Sequence, residues 1–187
     1  MPYLQRRKER YIMESYLYSP YELAIIIQFH GMSNADYIKL LKDIFHHDNL
    51  FLQPDHRNSE KHFILSVMNQ LNYLSNDESY ISEQAMIERD MKALGLPNQS
   101  GEHERTFSHL IFKELRIRIL FINKRNCARM KLRTLLSELG YKKRSSNVLN
   151  YIFDCLLFYH ISAALKDNAP CDIRTIGLDD MITFRTI

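Results

Sequence analysis

The stretch "LSELGYKKRSSNVLNYI", Leu136–Ile152, decides how this chain is read. A helical run ends at Leu139, Gly140 permits a tight turn, and Lys142, Lys143 and Arg144 follow. Ser145 or Ser146 can then cap a second helix through a side-chain oxygen. Such a corner is either a helix-turn-helix that touches DNA or a helical bend with a solvated basic surface.

The flanking sequence favours the first reading. Cys127–Leu139 reads as one helix, with Met130, Leu132, Leu135, Leu136 and Leu139 apolar. The second helix runs to about Leu165, with Val148, Ile152, Leu156, Tyr159 and Ala163 inward. After Pro170 the apolar residues alternate. Asp172–Ile176 and Met181–Phe184 read as two strands across the turn Gly177–Asp180, a terminal β-hairpin. Helix, turn, helix and hairpin is the element order of a winged helix, whose second helix enters the major groove.

Farther out, the pattern stays helical. Leu4–Tyr18 reads as a helix stopped by Ser19-Pro20, and Tyr21–Phe29 as a short apolar helix broken by Gly31. Ser33 caps Asn34–Phe45, with Tyr37, Leu40, Leu41 and Ile44 on one face. Asp48–Asn58 reads as a loop, and Asn58 or Ser59 caps a helix to Leu74 striped by Phe63, Val67, Leu71 and Leu74. Ile81–Leu94 is another amphipathic helix, closed by Gly95 and Pro97. The polar stretch Asn98–Gly101 separates regions 1–97 and 102–187, and a long helix follows from Glu102 to about Ile122. The alternation in Arg116–Ile119 would suit a strand, but Phe107, Leu110, Ile111 and Leu115 before it have helical spacing. The stretch "YELAIIIQFHGMSNADYIKLLKDIF", Tyr21–Phe45, echoes the later corner, because Leu23 precedes Gly31 by the same interval as Leu132 precedes Gly140. The expected fold is therefore mainly α, a helical bundle with a C-terminal winged-helix-like region and a helix-turn-helix-like echo near the N-terminus.

Composition bounds the class. The 187 residues hold only five glycines and five prolines, which fits short connections between helices. Three scattered cysteines form no CxxC pair, so neither a disulfide framework nor a zinc ribbon is expected. The opening residues are charged at once and no apolar run approaches membrane-spanning length, so a soluble, cytoplasmic protein is expected.

The net charge of +3 is unevenly spread. Lys113 to Arg144 holds eleven cations against Glu114 and Glu138, the footprint of contact with a polyanion or an acidic partner. Arg125, Arg129, Arg133, Lys142, Lys143 and Arg144 are the candidate DNA contacts, with Asn147 on the second helix and Arg174 reaching from the wing. That second helix is rich in Tyr151, Phe153, Leu157, Phe158 and Tyr159, which leaves little polar surface for base edges. Non-specific phosphate contact fits better than sequence readout. Near the N-terminus, Arg6, Arg7, Arg10 and Tyr11 mix cations with an aromatic, a composition favoured at protein interfaces.

Signs of catalysis are thin. His46, His47, Asp48, Asp55, His56 and His62 are metal-competent groups but lack the i, i+4 spacing of a helical metal motif. His103, Arg105 and His109 on one helix would suit RNA cleavage, yet no partner acid accompanies them. No phosphate-cradling glycine loop or nucleophile elbow is present. Neither a cofactor nor a resident metal is expected, and the chain reads as a binding module.

The segments "RMKLRTLLSELGYKKRSSNVLNYIFDCLLFYHI" and "GLDDMITFR" resemble the winged-helix ends of small accessory subunits that sit beside SMC-type ATPases. These include partners of condensins and the middle subunits of Lamassu-type anti-plasmid or anti-phage systems. The resemblance covers the last third of the chain and implies a non-enzymatic adaptor bridging an SMC-like ATPase and an effector, with DNA held against the basic surface. The competing expectations are a free-standing winged-helix transcriptional regulator and a metal- or histidine-dependent nuclease.

Overall fold

A computed structural model describes residues 17–47, 51–76, 100–166 and 169–187. The described residues are mostly helical, with a small three-stranded antiparallel sheet. The chain divides into a first unit, residues 1–105, and a second, residues 106–187.

In the first unit, α1 (Pro20–Phe29) starts at a capping box. The Ser19 hydroxyl accepts from the Glu22 N–H at 3.2 Å, and the Ser19 N–H donates back to Glu22 Oε2 at 2.9 Å. Such a cap satisfies two otherwise orphaned donors and stabilises the helix by about 1 kcal/mol. Gly31, at φ +56°, ends the helix, and its N–H donates to Gln28 while Met32 donates to Ile27. Ser33 accepts from the Asp36 N–H and opens α2 (Asn34–His47). Ser59 likewise accepts from the His62 N–H at the start of α3 (Glu60–Asn76). Leu23, Ile26 and Ile27 of α1, Leu40, Leu41 and Ile44 of α2, and Phe63 and Val67 of α3 form the core. Tyr18 and Leu52, which flank the α1–α2 pair, meet in a parallel bridge, and the Tyr18 ring stacks on Phe51 at 4.4 Å.

The second unit contains the C-terminal part of α4 (Ser100–Ile117), which ends in a wide π-helical turn, Arg118–Ile122. The turn closes with the Asn123 N–H on the Arg118 carbonyl at 2.9 Å. Then come β1 (Ala128–Lys131), α5 (Leu132–Glu138), α6 (Ser146–Phe158), β2 (Ile161–Ala164) and β3 (Met181–Thr186). The sheet order is β1-β3-β2 with both pairings antiparallel, so β1 and β2 run parallel on either side of β3. Pairing Ala128 with Phe184 and Met130 with Ile182 sets one face of the sheet against α5, α6 and the end of α4. Phe112, Leu132, Leu135, Ile152, Tyr159, Ile182 and Phe184 are buried there. The Tyr159 hydroxyl meets His109 Nδ1 at 2.8 Å, and its ring stacks on Phe112.

Three boundaries differ from the expected ones. Residues 128–131 are a strand rather than the first turn of a helix, because Ala128 and Met130 turn inward while Arg129 and Lys131 turn out. The second helix ends at Phe158, not Leu165, where His160 adopts φ +53° and redirects the chain into β2. The first strand of the expected hairpin is not a strand. Residues 172–176 form a turn, in which Asp172 accepts from the Arg174 N–H and its carbonyl from Thr175. The strand that pairs with β3 is Ile161–Ala164, joined to it by a long connection. Helix formation over Glu102–Ile117 is as expected, with the last turn widened. The helices expected at Leu4–Tyr18 and Ile81–Leu94 lie at least partly outside the described residues.

Candidate nucleic-acid interface

The corner at Gly140 is built by its backbone. Gly140 has φ +78°, and its N–H donates to Ser137 while Tyr141 donates to Leu136. This pair of bonds is a Schellman closure, which needs the left-handed conformation that glycine adopts freely. Ser145 then accepts from the Val148 N–H at 3.3 Å and starts α6. The exposed residues between these two points are Lys142, Lys143 and Arg144.

Beside this corner lies a concavity of about 480 Å³, whose lining includes Arg133, Leu136, Tyr141, Lys142, Arg144 and Leu178. Arg144 donates to the Arg174 carbonyl at 2.7 Å, which fixes its side chain across the rim. Arg133 reaches Asp179 through two nitrogens, and Lys131 approaches the same carboxylate at 3.7 Å. Asp179 is held below the usual carboxylate range, first by its hydrogen bond from Arg133 and then by the attraction of that charge.

A second, smaller concavity of about 310 Å³ sits where the chain enters β1, lined by Asn123, Lys124, Arg125, Cys127 and Arg129. Asn126 takes φ +47° here, which asparagine tolerates better than most side chains. The Asn123 amide donates to the Cys127 carbonyl at 2.8 Å and closes the turn.

The expected contacts are thus sorted by their surroundings. Arg125, Arg129, Lys142 and Lys143 are exposed, and they form no ion pair among the described residues. Arg133 is engaged by Asp179. Arg174 is exposed but engaged: Asp172 binds it at 2.8 and 3.0 Å, and its guanidinium lies 4.6 Å from the centre of the Phe153 ring. Asn147 is exposed on the first turn of α6. The basic run beginning at Lys113 is only partly a surface feature, since Lys113 is 2% exposed and Arg116 and Arg118 are half-buried. Arg118 lies 3.3 Å from Glu114. Lys124, Lys131 and Arg185 are not among the expected contacts. Lys124 is exposed before β1, and strand alternation places Lys131 and Arg185 on the outward face of the sheet with Arg129.

Arg6, Arg7, Arg10 and Tyr11, expected to bind a partner, lie outside the described residues. Among the described residues no three His, Cys, Asp or Glu side chains converge as a metal site requires. His46 instead meets Glu60 at 2.7 Å. No described helix is long and apolar enough to cross a membrane. No family of known proteins matches the chain, and neither a curated protein nor a solved structure matches it.

Proposed function

We propose that this chain is a non-enzymatic adaptor subunit of a DNA-associated complex, whose second unit is a winged helix that holds duplex DNA through phosphates without reading its sequence. The observation that carries this reading is the set of exposed cations, Arg125, Arg129, Lys142 and Lys143, with no acid paired to them among the described residues. Exposed cations with no acid beside them can replace the counterions condensed on a duplex. The order α4-β1-α5-α6-β2-β3 and the strand order β1-β3-β2 support the winged-helix assignment. The exposed face of α6 argues against base readout, since Asp154 and Leu157 occupy it below Asn147 and Asn150.

The first unit supports a second, reduced corner of the same kind. Gly31 and Gly140 close their helices with the same pair of backbone bonds, and Ser33 and Ser145 open the next ones. The parallel bridge Tyr18–Leu52 matches the parallel relation of β1 and β2, with no third strand between them. The resemblance of the last third to accessory subunits of SMC-type ATPases supplies the proposed partner, an SMC-like ATPase joined to an effector.

Fluorescence anisotropy with two duplexes of unrelated sequence tests the DNA part of this reading. Equal affinities that fall steeply with salt are expected. Tight binding to one sequence alone would replace it with a transcriptional regulator, and magnesium- or manganese-dependent cleavage of either duplex with a nuclease.

A further inference from the structure

The positive charge of the second unit is not where a helix-turn-helix would place it for groove entry. From Ser145 to Leu165, the whole of α6 and β2, there is no Lys or Arg. Asp154 and Leu157 are exposed on α6, Leu157 at 55%. The last part of the connection between β2 and β3, Cys171 to Asp180, holds Asp172, Asp179 and Asp180 against Arg174. By contrast, Asn123 to Arg144 carries eight cations against Glu138. Arg129 and Lys131 lie on β1, an edge strand, Lys124, Arg125 and Arg133 flank it in sequence, and Lys142, Lys143 and Arg144 follow at the Gly140 corner.

Their placement is continuous along that edge. Lys124 and Arg125 line the smaller concavity before the strand, and Arg129 joins that concavity to the outward sheet face. Lys131 follows on the same face, about 7 Å farther along by strand geometry. Arg133 and Lys142 line the larger concavity beyond the strand's end. The smaller concavity is lined by three cations, Lys124, Arg125 and Arg129, together with Asn123 and Cys127. It offers no aromatic platform on which an unpaired base would stack and no apolar anchor for a peptide. A phosphodiester oxygen suits it, and a duplex presents a regular row of these.

We infer that duplex DNA lies along the β1 edge, with a backbone phosphate seated in the Asn123–Arg129 concavity, and not along α6. This rests on the DNA-holding reading above and specifies the surface used.

The test compares variants of the full chain on a fluorescein-labelled duplex of mixed sequence across a salt series. Arg125→Glu with Arg129→Glu is expected to weaken binding roughly tenfold or more and to flatten the log–log salt slope by about 1.8. Arg125→Ala, a milder change outside the strand, flattens it by about 0.9. Asp154→Lys and Leu157→Glu on α6 leave both affinity and slope unchanged. A gain of affinity with Asp154→Lys, or a loss with Leu157→Glu, overturns the β1 path while the DNA-holding reading stands. Unchanged binding by Arg125→Ala and by the Arg125/Arg129 pair, with circular dichroism showing the native fold, also overturns it. A wild-type chain that binds no duplex at low salt removes the DNA-holding reading itself.

Discussion

Arg133 and Asp179 grip each other through two parallel contacts, Nε–Oδ1 at 3.2 Å and Nη2–Oδ2 at 2.9 Å, and join the start of α5 to the connection before β3. The Arg133 N–H also donates to the Leu178 carbonyl at 2.8 Å, so backbone and side chain fix the same junction. This carboxylate competes with any outside anion for Arg133 and, more weakly, for Lys131. Asp179→Asn is therefore expected to strengthen duplex binding and steepen its salt dependence, by up to about 0.9 in slope for each cation released. An anisotropy series at several salt concentrations checks this. A weaker or unchanged slope would mean that Arg133 is not near the bound phosphates.

The same geometry has a pH signature. Asp172 and Asp179 both titrate below the ordinary aspartate range, held down first by hydrogen bonds from Arg174 and Arg133 respectively. A carboxyl depressed in the folded state contributes stability above its unfolded value, and that stability is lost as pH falls through the folded value. Carboxyl carbon shifts followed by NMR should show these two aspartates protonating after the other exposed acids. Arg174→Ala should move Asp172 alone up toward the ordinary range, and only part of the way, because the backbone N–H of residue 174 still donates to its carboxylate.

Gly140 gives a conformational prediction. A β-carbon there would meet nothing within 4 Å, so the cost of Gly140→Ala comes from φ +78° and not from crowding. A loss of about 1 kcal/mol is expected, read as a lower urea midpoint with an unchanged slope. A change in that slope would point to a different compactness of one of the two states.

The three thiols should differ in reactivity. Burial pushes Cys155 up to about 11, and burial also raises Cys171, helped by Asp172 and Asp180. Cys155 is buried on the inner face of α6, whereas Cys127 and Cys171 are half-exposed. In native protein at mildly alkaline pH, a thiol reagent should leave Cys155 unmodified until denaturant is added. Mass spectrometry of the labelled peptides reads this directly, and early labelling of Cys155 would contradict the packing of α6.

Much of the helical pattern was legible because its signals are local. The stripes Tyr37/Leu40/Leu41/Ile44 and Phe63/Val67, the serine caps at Ser33, Ser59 and Ser145, and the glycine stops at Gly31 and Gly140 need only neighbours within a few residues. The strands depend on distant partners. Ala128–Lys131 alternates for only four residues before the helical pattern of Leu132, Leu135 and Leu136 begins, so the longer pattern absorbed it. Ile161-Ser162-Ala163-Ala164 has little intrinsic strand preference and is extended because β3 supplies its hydrogen bonds. Conversely, Ile173 and Ile176 suggested alternation, but three-residue spacing and the Asp172 carbonyl, which accepts from both Thr175 and Ile176, make a turn. At the candidate interface, residue type alone marked the cations. It could not separate exposed Arg125, Arg129, Lys142 and Lys143 from buried Lys113, or from Arg133 and Arg174, whose acids lie elsewhere in sequence or two residues away.

The salt dependence of duplex binding by the Lys142→Glu, Lys143→Glu double variant tests the central claim most directly. Both side chains are exposed at the Gly140 corner, and the helices on either side are closed by their own caps, so the fold should persist. The account predicts weaker binding and a log–log slope flatter by about 1.8 than that of the native chain, from the loss of two phosphate contacts. An unchanged slope, in a variant whose thermal unfolding matches that of the native protein, would contradict it.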